Sequence, residues 1–258
     1  NGRTTSKVRI GVKIFVKPRP DEIDEWTHYL HNPSGNPVAQ DDQVRPPRQL
    51  QWVTSPKWAR HHEHMASMSA MVSSDGKIFS ICDQGPRESM LHPPEWKLSA
   101  HDAFNGLLLW EQPITEWFSH LQPLKNGPAS LPRRLVADGG RVYVTLGIAA
   151  PVSILDAASG ELLHTCEGTE NTQEVVLSDG TLFLVRGMET GTAISAVNAA
   201  SGEILWERET PVSTFTLAAD SHKAVYFDGR SVVALNPTDG AELWISPPLD
   251  EERMAVWV

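Results

Sequence analysis

The sequence predicts an all-β chain, a β-propeller of four-stranded antiparallel blades, and three observations predict it. The stretch from Val175 to Trp206 holds three short apolar runs alternating with small or polar residues. An Asp179-Gly180 turn punctuates it and Gly202-Glu-Ile-Leu-Trp206 closes it, which is the grammar of a four-stranded meander. Its closing turn recurs as Asp102-Ala-Phe-Asn-Gly106 before Trp110, Asp156-Ala-Ala-Ser-Gly160 before His164, Asn198-Ala-Ala-Ser-Gly202 before Trp206, and Asn236-Pro-Thr-Asp-Gly240 before Trp244. A second set of turns, Asp75-Gly76, Asp138-Gly139, Asp179-Gly180 and the degenerate Asp220-Ser221, is spaced 41 residues from 138 to 179 and 41 again from 179 to 220. A period of about 40 built from short strands marks propeller blades rather than helical solenoids.

Taken in order, residues 1–20 read as a strand or hairpin and then a stiff linker at Pro18-Arg-Pro20. Residues 21–64 read as an extension, with a short helical turn around Asp24 to Leu30 and one strand at Gln49 to Val53, the outer strand of a blade completed by distant sequence. The propeller proper is expected over residues 65–258, with blades at 65–111, 132–166, 173–208 and 213–246, and the start of a further one at 254–258. Blade one carries an insertion, Gln84 to Trp96, and a long connection, Gln112 to Leu131, follows it. Such extra loops are where a repeat scaffold differentiates. In each blade the closing glycine supplies a positive φ, and the tryptophan after it covers the outer edge. Blade two has His164 instead, so a weaker contact is expected there.

A chain of 258 residues is long enough for a sizeable core. No window reaches the roughly 18 apolar residues of a membrane span, and the polar N-terminus has no signal-peptide core. The net charge of −10 argues against nucleic acid, whose phosphates demand an excess of Lys and Arg. Cys82 and Cys166 fall in different blades on inward-facing patterns, so buried free thiols are expected rather than a disulfide.

Asp138-Gly-Gly-Arg-Val-Tyr-Val144 with Ile154-Leu-Asp-Ala-Ala-Ser-Gly160 resembles the pyrroloquinoline-quinone-like propeller repeat, a family that includes quinoprotein dehydrogenases and the outer-membrane assembly factor BamB. The resemblance covers about Met65 to Ser246. It implies an eight-bladed ring of which this chain supplies about half, and it points to a bacterial periplasm or cell envelope. A narrower likeness runs through Val16 to His31, Leu50 to Val53, Arg60 to Ala70 and Asp102 to Trp110. It is to large bacterial proteins, frequent in planctomycetes, in which a methyltransferase-like domain can precede such a propeller. By that likeness residues 1–16 are the tail of an upstream domain, and no Gly-rich cofactor loop in this chain supports methyltransferase activity.

Candidate chemistry is sparse. His61, His62 and His64 form the sharpest cluster: in an extended segment His62 and His64 project to one side, as two imidazole ligands of a divalent metal would. A third ligand would come from His28, His31, His92 or His120. The other reading is a hydrogen-bonded polar rim. Quinoprotein dehydrogenases hold their quinone over calcium with carboxylate and amide ligands and often carry adjacent cysteines. This sequence has no adjacent Cys pair and no clustered Asp/Asn loop, so pyrroloquinoline quinone is not expected here. The acids Asp21, Glu22, Asp24 and Glu25 suit a helix start better than a paired-carboxylate site. Trp58, Trp96, Trp117 and His120 lie in or beside the long loops, where aromatics either stack on a ligand or cap the loop against its blade. No Gly-x-Ser-x-Gly elbow is present.

The expectation is therefore a non-catalytic scaffold presenting a binding face, formed by the His61 to His64 segment and the two long loops. The alternative is a quinone- or metal-dependent oxidoreductase. Expected partners are further propeller blades or another protein, with self-association through open blade edges.

Overall fold

The structure, a computed structural model, describes residues 23–42, 48–57, 60, 67–89, 91–118 and 128–249. Among the described residues sixteen strands form four sheets. The first holds β1 (Met68–Ser74), β2 (Lys77–Asp83), β3 (Trp96–Asp102) and β4 (Leu108–Pro113). The second holds β5 (Leu135–Asp138), β6 (Arg141–Thr145), β7 (Val152–Asp156) and β8 (Leu162–Thr165). The third holds β9 (Thr172–Ser178), β10 (Thr181–Met188), β11 (Gly191–Asn198) and β12 (Ile204–Glu209). The fourth holds β13 (Ala218–Ala219), β14 (Ala224–Phe227), β15 (Val232–Leu235) and β16 (Glu242–Ile245). Every strand pairs antiparallel with its neighbour in sequence, and among the described residues the one helical element is a 3-10 turn at Pro132–Arg134. This is the expected propeller-blade topology, each sheet a meander.

The sheets stack face to face through three apolar layers. Phe79, Ile81 and Leu98 of the first sheet pack with Val142, Val144 and Leu155 of the second. Tyr143 and Ile154 pack with Leu182, Leu184 and Val197. Phe183, Val185 and Ile194 pack with Tyr226, Val233 and Leu235. Period-two alternation lets each strand feed two layers at once, which explains near-continuous burial along β6 and β10.

Two turns make each blade. The first joins its first two strands, and in three blades both central residues have positive φ: Asp75 and Gly76 at 50° and 69°, Gly139 and Gly140 at 57° and 77°, Asp179 and Gly180 at 46° and 76°. Right-handed strand twist favours that primed turn. In blade two the turn sits one residue later than the Asp138-Gly139 expected from sequence, because Asp138 still pairs with Arg141 at the strand end. In the fourth blade the Asp220 carboxylate accepts the His222 and Lys223 amides instead.

The closing turn is held the same way four times. The glycine amide donates to the carbonyl of the Asp or Asn four residues back, at 2.8 Å for Gly106, Gly160 and Gly202 and 2.9 Å for Gly240. A tryptophan from the preceding repeat then lies on that glycine and donates its indole N–H to the carbonyl three residues before it. Trp110 reaches Ala157 at 3.1 Å and Trp206 reaches Pro237 at 2.8 Å. A Cβ on Gly160 or Gly240 would come within 2.5 or 2.6 Å of the ring, so glycine is required by proximity as well as by φ. Where His164 replaces tryptophan, Tyr143 Oη and Arg141 Nη1 donate to the equivalent Ala199 carbonyl at 3.3 and 2.8 Å, so that contact is rebuilt from another strand.

Two expectations need correction. Gln49 to Val53 forms no ladder; yet Trp52 lies on Gly106 and donates to Ala103 O at 2.8 Å, the place a preceding blade's tryptophan would take. Residues 24–30 are not helical: Tyr29 and Leu30 form a turn closed by a bridge between His28 and His31. Their backbone carbonyls are used by the blades, as described next.

Candidate functional site

The strands β1, β5, β9 and β13 each have a neighbour on one side only, so their outer edges present backbone groups that need partners. One segment, Trp26 to Pro33, with a turn at Tyr29 and Leu30, reaches all four. The amide of Ser73 donates to Trp26 O at 2.7 Å, Ala137 to Thr27 O at 3.0 Å, and Ala219 to Pro33 O at 2.9 Å. Leu177 donates to His28 Nε2 at 3.0 Å. These four amides occupy one register position: their residues pair with Ile78, Val142, Leu182 and Ala224, two residues from each hairpin turn. The segment is thus a strap that gives every blade one acceptor at the same place.

The acids before the strap anchor it. The Glu25 carboxylate accepts the Asp75 amide at 2.8 Å and the Ser74 hydroxyl at 3.2 Å. Asp24 Oδ2 lies 2.6 Å from His31 Nε2 and accepts the Gln40 amide at 2.6 Å. These carboxylates bind backbone and imidazole instead of capping a helix.

His28 must be neutral to accept from Leu177, and its Nδ1 lies 2.7 Å from Thr27 Oγ1, which donates onward to His31 O. Burial, and secondarily the nearby His31, pull its pKa down to about 4. Beside it Arg133 Nη1 meets Glu174 Oε1 at 2.5 Å, and the Arg133 guanidinium stands 5.4 Å from the Tyr29 ring and 4.6 Å from the Phe215 ring. Burial raises the Glu174 pKa, with Arg133 pulling the other way.

Next to the strap opens a cavity of about 600 Å³, lined by Trp26 and Tyr29 of the strap, Met68 and Met71 of β1, Phe118, and Leu131. Met68 and Met71 are 48% and 52% exposed, on a strand whose Ala70 and Val72 are core. Thioethers and aromatic faces together make an adaptable apolar surface.

The insertion is held from inside by Arg60. Its guanidinium pairs with Asp83 at 3.0 Å, both side chains 1% exposed, and donates to the carbonyls of Pro86, Ser89, His92 and Pro93. Asp83 Oδ1 in turn accepts the amides of Gly85 and Glu95, each at 2.9 Å. The expected metal ligands His61, His62 and His64, with His120 and Trp58, lie outside the described residues.

Trp96 and Trp117 are not presented on a surface: they are 4% and 5% exposed. Trp96 stacks on Phe118 at 4.8 Å, and Trp117 donates to Ser69 Oγ at 2.9 Å. Both pin the long connection to blade one, so it is their neighbours Phe118, Met68 and Met71 that reach the cavity. Sequence reasoning missed the two methionines; Met71 stands on the phase of Ser69 and Ser73, and a register shift between Met68 and Ala70 brings Met68 to the same face. Cys82 and Cys166 are free and buried, and burial pushes the Cys166 thiol up to about 11.

Among the described residues no group of three His, Cys, Asp or Glu side chains could hold a metal ion. His28 and His31, considered above as third ligands, serve the strap. The carboxylates nearest the axial edge are committed too: Asp24 to His31 and an amide, Glu25 to Ser74 and Asp75, Glu174 to Arg133. The described residues therefore do not fit a metal-held quinone, which needs carboxylates and amides turned towards it.

Stacked four-stranded meanders joined in chain order around an edge-lined axis define a β-propeller repeat protein. A family model described as outer membrane protein assembly factor BamB matches residues 94–256, more than half of the sequence, and the chain belongs to this pyrroloquinoline-quinone-like propeller family. Among solved structures, a europium-containing methanol dehydrogenase aligns with a TM-score of 0.54 at 11% identity, over 88% of this chain and 50% of that one. The quinohemoprotein alcohol dehydrogenase from Comamonas testosteroni gives 0.52 at 15% identity, over 88% and 41%. BamB from Moraxella catarrhalis gives 0.39 at 16% identity, over 71% and 61%. The chain spans about half the length of the first of these. At such identities the likeness is one of fold. No curated protein matches the sequence. Among the described residues no helix is long and apolar enough to cross a membrane.

Proposed function

We propose that the chain is a non-catalytic propeller scaffold that binds an apolar segment of another protein at its axial face. The observation that carries this reading is the cavity beside the strap. Its size suits a few apolar side chains, and exposed Met68 and Met71 stand where a monomer would place polar residues. The strap fixes one wall and the Trp117-pinned connection the other, so the surface is preformed. Arg60 holds the insertion as a flanking rim.

An apolar fluorescent probe, anilinonaphthalene sulfonate, tests the site without a known partner. Saturable binding at one site is expected, lost in Met71→Glu while the melting temperature stays unchanged. Equal binding in Met71→Glu contradicts the assignment. The oxidoreductase reading rests on His61, His62 and His64 and is separated by metal analysis. Stoichiometric metal in the purified protein, lost in His62→Ala/His64→Ala, would favour it over the scaffold.

A further inference from the structure

The seams between neighbouring blades are built alike except at one position. The residue that closes the first hairpin turn, paired across it with the end of the inner strand, is Lys77 opposite Ser74, Arg141 opposite Asp138 and Thr181 opposite Ser178. In the fourth blade Lys223 stands there, its carbonyl accepting the Asp220 amide at 2.9 Å. Only blade three lacks a cation at this place. The cations of the first two blades act across their seams: an attraction links Lys77 to Asp156 in the closing turn of blade two, and Arg141 donates to Ala199 O in that of blade three at 2.8 Å. Thr181 is too short to cross. The seam between blades three and four is left open as a cavity of about 310 Å³, lined by Ser178, Asp179, Thr181, Leu205, Asp220 and Pro237 among others.

We infer that this cavity is a socket for an arginine side chain of a partner protein, seated where Arg141 sits one seam earlier, with its guanidinium on the Asp179 carboxylate and Pro237 O. The volume is at the lower end of ligand sites and suits one long side chain. Among the described residues Asp179 has no cation of its own, whereas Asp220 is paired with Lys223 at 2.9 Å. Among the described residues Pro237 O accepts only the Trp206 indole, while the equivalent Ala199 O accepts both Tyr143 and Arg141. A carbonyl has two lone pairs, so Pro237 keeps one free. Leu205, 49% exposed, offers an apolar wall to the methylene stem. Arginine fits better than lysine because its planar fork serves two acceptors together. The net charge of −10 draws a basic segment towards the chain. A sugar fits less well, since no aromatic ring lines the cavity for it to stack on. The socket is separate from the apolar cavity beside the strap and shares no lining residue with it.

The test titrates N-acetyl-arginine amide into the full chain and follows the amide signals by nuclear magnetic resonance. Saturable shifts are expected at Thr181 and Thr238, both of which line the cavity. N-acetyl-citrulline amide, the same shape without the charge, should leave them unmoved. Binding should weaken about tenfold in Asp179→Asn, which removes the charge-assisted hydrogen bond. Asparagine tolerates the φ of 46° at this position, so that variant keeps the turn. Thr181→Arg puts the chain's own guanidinium in the seam, as Arg141 does one seam earlier, and should abolish binding with the spectrum elsewhere unchanged. No shift at Thr181 and Thr238, equal binding of the citrulline amide, or undiminished binding in Thr181→Arg would each overturn the inference. So would glucose shifting the same two signals at lower concentration than the arginine amide, since the occupant would then be a sugar.

Discussion

At the scale of single residues, the closing glycines and His28 carry the most consequence per atom. Gly160 has a φ of 73° and an indole where its Cβ would stand. Gly160→Ala should therefore cost about 3 kcal/mol, summing backbone strain and overpacking, measured by urea denaturation; a loss below about 1 kcal/mol would mean that Trp110 is free to move aside. His28 is held neutral, with a folded pKa of about 4 against 6.5 when unfolded. Between those values the unfolded state binds more protons, so stability is full above pH 6.5 and falls as the pH drops towards 4. The difference between wild type and His28→Gln, which keeps an acceptor for Leu177 but does not titrate, should shrink by about 3 kcal/mol over that window. Thermal melts of both proteins between pH 7 and pH 4 check it.

At the scale of elements, the strands were legible because their causes are local. Alternation fixes the face, and the Asp-Gly and Gly-Glu turns fix the ends; β2, Lys77–Asp83, begins directly after the Asp75-Gly76 turn. The strap was not legible. Asp24 to Leu30 has the acids and apolar spacing of a short helix, and nothing nearby says that Trp26 is bound 47 residues away or His28 149 residues away. The same holds for the insertion, whose organiser is a lone arginine preceding it by more than twenty residues. Replacing Arg60 with Met leaves the Asp83 carboxylate buried without its cation and should cost about 3–5 kcal/mol. The loss should concentrate in faster amide exchange of Gly85 and Glu95. Uniform destabilisation with those two amides unchanged would show that the insertion orders itself. Of the expected site, Trp96 and Trp117 stand beside the long loops, and their burial depends on Phe118 and Ser69, which only tertiary packing brings near.

At the scale of the whole molecule, four sheets that touch their neighbours through apolar layers are also tied along the axis by one segment that none of the repeats contains. The repeats alone would leave four rows of edge amides facing the axis, open to pairing with other chains. The strap closes one position in each and shapes the apolar cavity next to it, so the scaffold and its proposed binding face have a common origin. Residue-resolved amide hydrogen exchange tests this most directly. The account predicts that the Ser73, Ala137, Leu177 and Ala219 amides exchange as slowly as the paired amides inside their sheets. It also predicts that Leu177 alone among the four speeds up sharply in His28→Ala. Exchange of all four at the rate of solvent-facing strand edges would contradict it.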